Sequence, residues 1–359
     1  MITAFVFQNG SLTKTILSGT ANLAVKEALP AVDHLPSHGQ AVAEHAADTL
    51  ERDVVWVDLC NPTPSEIASI ERAFHMEVPT REEMGEIEAS SRLYTENGAL
   101  VMTAPILHRA TAEIPESGVI TFILLAQTLV TVRFVDPLPF AVFARRAERN
   151  PGLAASAQAA LLGLLESVTD RLADVLELAQ ADMEQVSRDI FAKRAAVLGT
   201  GAENREARRK APDLQDTLRR IGRVGDLATK ARDSLLGLNR IAVFLNAQGE
   251  MKKDIKARIK TLARDLGSIT DHANFLAGKV NFLLDATLGL INIEQNAIIK
   301  IFTVAAVAFL PPTLIASIYG MNFDFMPELK WHYGYLVAIG LMILSAVLPM
   351  WYFRRRGWL

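Results

Sequence analysis

Asn322 closes a Tyr319-Gly320-Met321-Asn322 run that lies between two long stretches of chain without a charged residue. Its side chain offers a neutral carbonyl oxygen and an amide. Repeated around an axis, that oxygen becomes a ring of hard acceptors. Such a ring suits magnesium, a small cation that gives up water reluctantly and is often contacted through its hydration shell. Neutral acceptors orient those waters without trapping the ion, as conduction requires. Gly320 is expected to permit the backbone conformation of the turn. Asp324 and Glu328 lie just beyond, where they would concentrate divalent cations electrostatically. Their plainer reading is a solvated acidic loop. Trp331 and His332 fit interfacial anchors better than ligands.

A second polar set precedes the run. Thr303, Thr313 and Ser317 fall within an arc of about 80° on a helix. Asn296 lies on the same side, and Ile299, Ala306 and Leu310 complete the stripe at steps of three and four. Small, weakly polar groups in a line could border a narrow hydrated path. Alternatively, the hydroxyls satisfy their own helix carbonyls or hold adjacent helices together. The Asn-led stripe beside the Gly-Met-Asn turn favours the path.

These residues need membrane-spanning elements to position them. Residues 301–319 and 333–353 each carry no charge and are long enough to cross a hydrocarbon core of about 30 Å. Residues 320–332 form the short loop between them. Arg354, Arg355 and Arg356 open a basic tail, 354–359, which the positive-inside rule places in the cytoplasm. Two spans then return the N-terminal part to the same side. Pro311-Pro312 removes backbone donors and would loosen the first span near its outer end. Two helices cannot enclose a pore, so several copies would have to ring an axis. On topology alone, a cytoplasmic enzyme anchored by the hairpin is the competing reading.

Of 359 residues, most precede the spans, enough for a soluble core. Residues 1–155 read as mixed α/β. Val54–Leu59 is strand-like, and a helix follows from Ser65 to Phe74 with Thr63 as its N-cap. Leu93-Tyr94, Leu100–Ala104 and Gly118–Phe134 suggest strands, the last folded at Ala126-Gln127. Pro137 and Pro139 close this part. Residues 156–250 read as helical, with breaks at Gly199-Thr200-Gly201 and Gly249. From 251 to 300 a stalk helix is expected to run without interruption into the first span. Ile259, Leu262, Leu266, Ile269, Ala273, Leu276, Val280 and Leu283 step by threes and fours, a heptad seam that offers a means of assembly.

Composition excludes several classes. A net charge of −3 gives no case for nucleic-acid binding. Cys60 is the one cysteine, so no intrachain disulfide or multi-thiolate zinc site is available. Met1–Gly10 has neither the basic start nor the apolar core of a signal peptide. No Walker-type loop, HExxH or nucleophile elbow occurs before the spans. His34, His38 and His45 cluster in sequence but fit surface residues better than a metal site.

Tyr319-Gly320-Met321-Asn322, followed by Phe323 and Met326-Pro327-Glu328-Leu329, resembles the CorA family of divalent-cation transporters. So does the tail Arg354-Arg355-Arg356-Gly357-Trp358-Leu359. A weaker likeness covers Thr80–Met84 and Ser90–Tyr94. The resemblance implies a homopentameric funnel in the inner membrane with both termini cytoplasmic. Its function would be magnesium uptake, with cobalt or nickel also carried. Gly320, Met321 and Asn322 would then form the selectivity site. Asn296, Ile299, Phe302, Leu310 and Thr313 correspond to pore-facing positions, and Asp285 to an acid near the cytoplasmic mouth. Regulatory magnesium between neighbouring copies would involve Glu83, but Thr261 stands where its partner is expected, leaving Asp254 or Asp265 as substitutes. A zinc-transporting branch is the near alternative, although such relatives often replace the motif Met and lack Met-Pro-Glu-Leu.

Overall fold

The computed structural model describes residues 1–8, 11–17, 54–198, 213–248, 251–321 and 331–356. The three clustered histidines, the breaks at 199–201 and 249, and Asn322, Asp324 and Glu328 lie outside them. Two compact units emerge, one made of 1–188 and 218–283, the other of 189–217 and 284–359.

The first unit opens on a hairpin, β1 (Ile2–Gln8) and β2 (Ser11–Leu17), and continues with β3 (Val54–Cys60). Helix α1 (Pro64–Phe74) starts at Thr63, where a capping box with Glu66 satisfies end donors on both sides. Short helices α2 (Arg81–Met84) and α3 (Ala89–Arg92) lead into β4 (Leu93–Glu96), β5 (Ala99–His108), β6 (Glu116–Leu124) and β7 (Leu129–Arg133). All seven strands form one sheet in the order β2-β1-β3-β7-β6-β5-β4. Only β3–β7 is parallel; the other pairs are antiparallel. The β1–β2 hairpin escaped the sequence reading, because its outer strand Ser11–Leu17 lacks a clean polar–apolar alternation. Pro137 and Pro139 flank the start of another element the sequence reading lacked, α4 (Leu138–Arg149). Proline suits a first helical turn, where its missing N–H costs nothing.

The interior strand β3 is buried on both faces along nearly its whole length. Trp56 stacks on Phe5 with ring centroids 4.2 Å apart and meets Phe143 at 5.7 Å. Its indole N–H donates to Thr131 Oγ1 at 3.0 Å. Asp58, on the same strand, is buried and receives Arg133 in a fork, with Nη2 to Oδ2 at 2.8 Å and Nε to Oδ1 at 3.0 Å. A buried pair of this kind survives only when its remaining polar atoms are satisfied. Here Thr131 donates to Asp58 at 2.8 Å, and Arg133 reaches Asp136 at 2.7 Å.

Three long helices follow: α5 (Ala157–Leu198), α6 (Leu214–Ala247) and α7 (Lys253–Tyr319). Arg258–Glu166 at 2.8 Å and Lys279–Glu184 at 3.9 Å tie α7 to α5 with both chains running the same way. Arg220 pairs with Asp182, and Val280 lies against Gly225, so α6 closes the bundle from the opposite direction. The sheet meets α6 where Leu107 N–H donates to Ser234 Oγ at 2.9 Å. The expected single helix from the stalk into the first span is present as 67 continuous residues, through both prolines.

The heptad seam has a different use from the one expected. Ile259, Leu262, Leu266, Ala273, Leu276, Val280 and Leu283 are buried within one chain. Ile269 is half-buried, and the seam packs α7 along its length against other helices of its own chain, as the spacing implies, leaving little of it exposed for assembly. The last helix, α8 (Gly334–Arg355), is apolar, and its residues, like those of the matching stretch of α7, are mostly uncovered.

Candidate ion pathway along helix α7

Asn296, Ile299, Phe302, Ala306, Leu310, Thr313 and Ser317 are all exposed on α7, and Thr303 is half-buried. Val304, on the other side of the helix, is buried. The expected stripe is left open by its own chain, as are Ile298, Ile301 and Ile318 on other sides of the same stretch. Its hydroxyls are partly occupied: Thr303 Oγ1 donates to Ile299 O at 2.8 Å, and Thr313 Oγ1 to Phe309 O at 2.7 Å. This is the self-satisfying arrangement weighed as the alternative. It still leaves each hydroxyl oxygen with acceptor capacity.

The stripe also belongs to a longer pattern. Read back from Gly320 by alternating threes and fours, the chain gives Ser317, Thr313, Leu310, Ala306, Thr303, Ile299, Asn296, Asn292, Gly289, Asp285, Phe282, Gly278, Phe275 and Asp271. Every member except Thr303 is exposed. This second heptad seam runs beside the buried one and was missed in the sequence, because polar residues and glycines fill most of its places. The signal available was the spacing itself. Phe275 and Phe282 place two large rings on this seam, 61% and 57% exposed.

At the end of α7, Gly320 N–H donates to Ala316 O at 2.9 Å, so the helical turn continues into the motif. Gly98 is the glycine with positive φ among the described residues. The conformational reason expected for Gly320 is thus replaced by a steric one. A Cβ there would meet Ala316 O at 3.1 Å. Met321 is exposed directly after it.

The regulatory candidates do not converge. Among the described residues no three His, Cys, Asp or Glu side chains gather as a metal group. Glu83 is spent locally: its carboxylate accepts from Thr80 N–H at 2.8 Å and from Thr80 Oγ1 at 3.0 Å, capping α2. Asp254 is exposed in the first turn of α7, where an acid complements the helix dipole. Asp265 lies near Asp170 of its own chain. Burial pushes the Asp170 carboxyl up, Arg146 opposes this, and Glu166, Asp174 and Asp265 add to the rise. Asp285 is exposed and lies on the open seam.

A family profile described as "CorA-like Mg2+ transporter protein" matches residues 51–355. The magnesium transport protein CorA of Escherichia coli (strain K12) is 32% identical over 359 residues, covering 100% of both chains. Its counterpart in Salmonella typhimurium is 34% identical over 307 residues, 86% of this chain and 92% of that one. Among solved structures, the CorA magnesium transporter from Methanocaldococcus jannaschii superposes with a TM-score of 0.67 at 17% identity, covering 100% and 99% of the two chains.

Proposed function

The chain belongs to the CorA-like Mg2+ transporter family, and from that premise we propose that several copies, most simply five, ring an axis with the open seam of α7 turned inward. Magnesium enters the cell along that axis. The observation that carries this reading is the second seam, exposed from Asp271 to Gly320 while the parallel apolar seam is consumed within the protomer. A helix that has used one heptad seam internally and keeps another open is prepared to meet copies of itself.

Gly320, Met321 and Asn322 would form the outer ring, where neutral oxygens hold a hydrated ion. Asp324 and Glu328 would raise the local cation concentration. Ile299 and Phe302, 60% and 71% exposed, would form apolar rings that close by dewetting. The protein sits in the inner membrane with both termini cytoplasmic, and cobalt or nickel follow magnesium through the same hydrated ring. Cytoplasmic magnesium would hold the closed ring by bridging acids of neighbouring copies. Asp285 best suits that role because it lies on the open seam; Glu83, Asp254 and Asp265 all have work or neighbours within their own chain. The zinc reading draws no support from the relatives named above, which are magnesium transport proteins. A membrane-anchored enzyme would leave the open seam unexplained.

Full-length protein reconstituted in vesicles is expected to take up magnesium down its gradient. Asn322→Ala should abolish that flux while the amount of assembled protein stays the same. Equal flux in vesicles with and without protein would refute the reading.

A further inference from the structure

Helix α8 ends in Arg354, Arg355 and Arg356, all exposed. Two of them rest on aromatic rings about one turn earlier. The guanidinium carbon of Arg355 lies 4.5 Å from the centre of the Trp351 ring, and that of Arg356 lies 5.5 Å from the Tyr352 ring. Among the described residues, none of the three arginines pairs with a carboxylate. Trp351 and Tyr352 are themselves about half exposed, at 54% and 51%. They stand at the end of a 22-residue apolar helix, where Trp and Tyr settle at headgroup level.

The positive charges complement the carbonyl end of the helix. That role needs neither the aromatic seats nor two of them side by side. A guanidinium held against a ring at this depth is fixed in position and keeps N–H donors directed away from the ring. Those donors match phosphate oxygens in a fork. A zwitterionic lipid brings its own ammonium to neutralise its phosphate, whereas an anionic lipid does not.

We propose that this last turn of α8 is a binding site for the phosphate of an anionic glycerophospholipid, with Arg355 on Trp351 and Arg356 on Tyr352 as its two fixed contacts. The site rests on α8 crossing a bilayer and is independent of which ion the protein carries. Loss of transport would leave it standing, and loss of lipid selectivity would leave transport standing.

The test uses full-length protein in detergent with equal amounts of phosphatidylglycerol and phosphatidylcholine, and retained lipid is read by native mass spectrometry. Wild type should retain phosphatidylglycerol in clear preference. Arg355→Gln with Arg356→Gln should weaken that preference by about fivefold per charge removed. Arg355→Lys with Arg356→Lys keeps the charge but not the planar fork, and should also fall below wild type. Trp351→Leu keeps the span apolar and all three charges, and should fall as well. It serves if the glutamine pair fails to insert. Equal retention of both lipids by wild type overturns the proposal. So does a lysine pair or a Trp351→Leu variant that matches wild type, since diffuse charge would then suffice. Displacement of the lipid by millimolar glycerol phosphate would assign the site to soluble phosphate instead.

Discussion

Arg133 binds Asp58, Asp136 and the carbonyl of Val135, and its ring neighbour Phe140 lies 5.0 Å from its guanidinium. Burial opposes its charge, but the hydrogen bonds and attraction of Asp58 outweigh that and hold its pKa above the usual arginine value. Arg133→Ala would strand a buried carboxylate on the interior strand β3. The expected cost is about 3–5 kcal/mol, seen as a lower midpoint in denaturant unfolding of the protein. His108 carries a pH dependence. Burial lowers its pKa below the ordinary 6.5, Glu116 pulling it up and Arg109 down. The unfolded chain therefore binds the extra proton first. The stability contribution is complete above 6.5 and is lost as pH falls through the depressed native value. Unfolding midpoints followed downward from neutrality should decline, and His108→Asn should flatten that limb. At Gly320 the contact of 3.1 Å is tight without being prohibitive. Gly320→Ala should reduce magnesium flux and leave a measurable remainder, unlike Asn322→Ala. Full loss in the glycine variant would mean that the motif needs a conformation other than this helical one.

Two seams on one helix give opposite expectations for the same substitution. Leu276 is buried against its own chain, whereas Phe282 is open. In a protein whose Cys60 is replaced by serine, Phe282→Cys should crosslink copies under mild oxidation, and Leu276→Cys should not. The reverse pattern would place the protomer contacts elsewhere. This contrast also shows what the sequence could disclose. Apolar residues every three or four positions announced a packed seam, but periodicity does not say against what. Ile259 to Leu283 looked suitable for assembly because nothing in the string indicates that α5 and α6 return to cover it. The spans, the helix through Pro311-Pro312 and the cap at Thr63 were legible because each depends on local chemistry. The β3–β7 pairing was not, since it joins Trp56 to Leu129 across the sequence. The local partners of Glu83 and Asp265 were hidden for the same reason. A carboxylate reads alike whether it caps a helix, crowds another acid or waits for a cation.

In the proposed ring, conduction and its control would belong to the copies together. Rings of Ile299 and Phe302 would keep a hydrated ion out until the copies part, because shedding water in an apolar constriction is costly. Ile299→Ser should raise the resting leak of magnesium in reconstituted vesicles, and an unchanged leak would place the barrier at another level. Asp285→Asn should shift the internal magnesium concentration at which flux stops, without changing the maximal rate. The order of the units along the chain has a consequence for how the protein is made. Every residue of the first unit up to Leu283 is synthesised before the first apolar span begins at Ile301. The sheet has its last strand by Arg133, and the buried seam of α7 has its last member by Leu283. A ribosome adds about 5–20 residues per second, and N-terminal parts generally fold first during synthesis. The soluble part therefore has time to close before both spans have emerged. What reaches the insertion machinery is then a folded body trailing an uninserted hairpin, with its internal seam already hidden, so that in the proposed ring only the open seam would be left for other copies to meet.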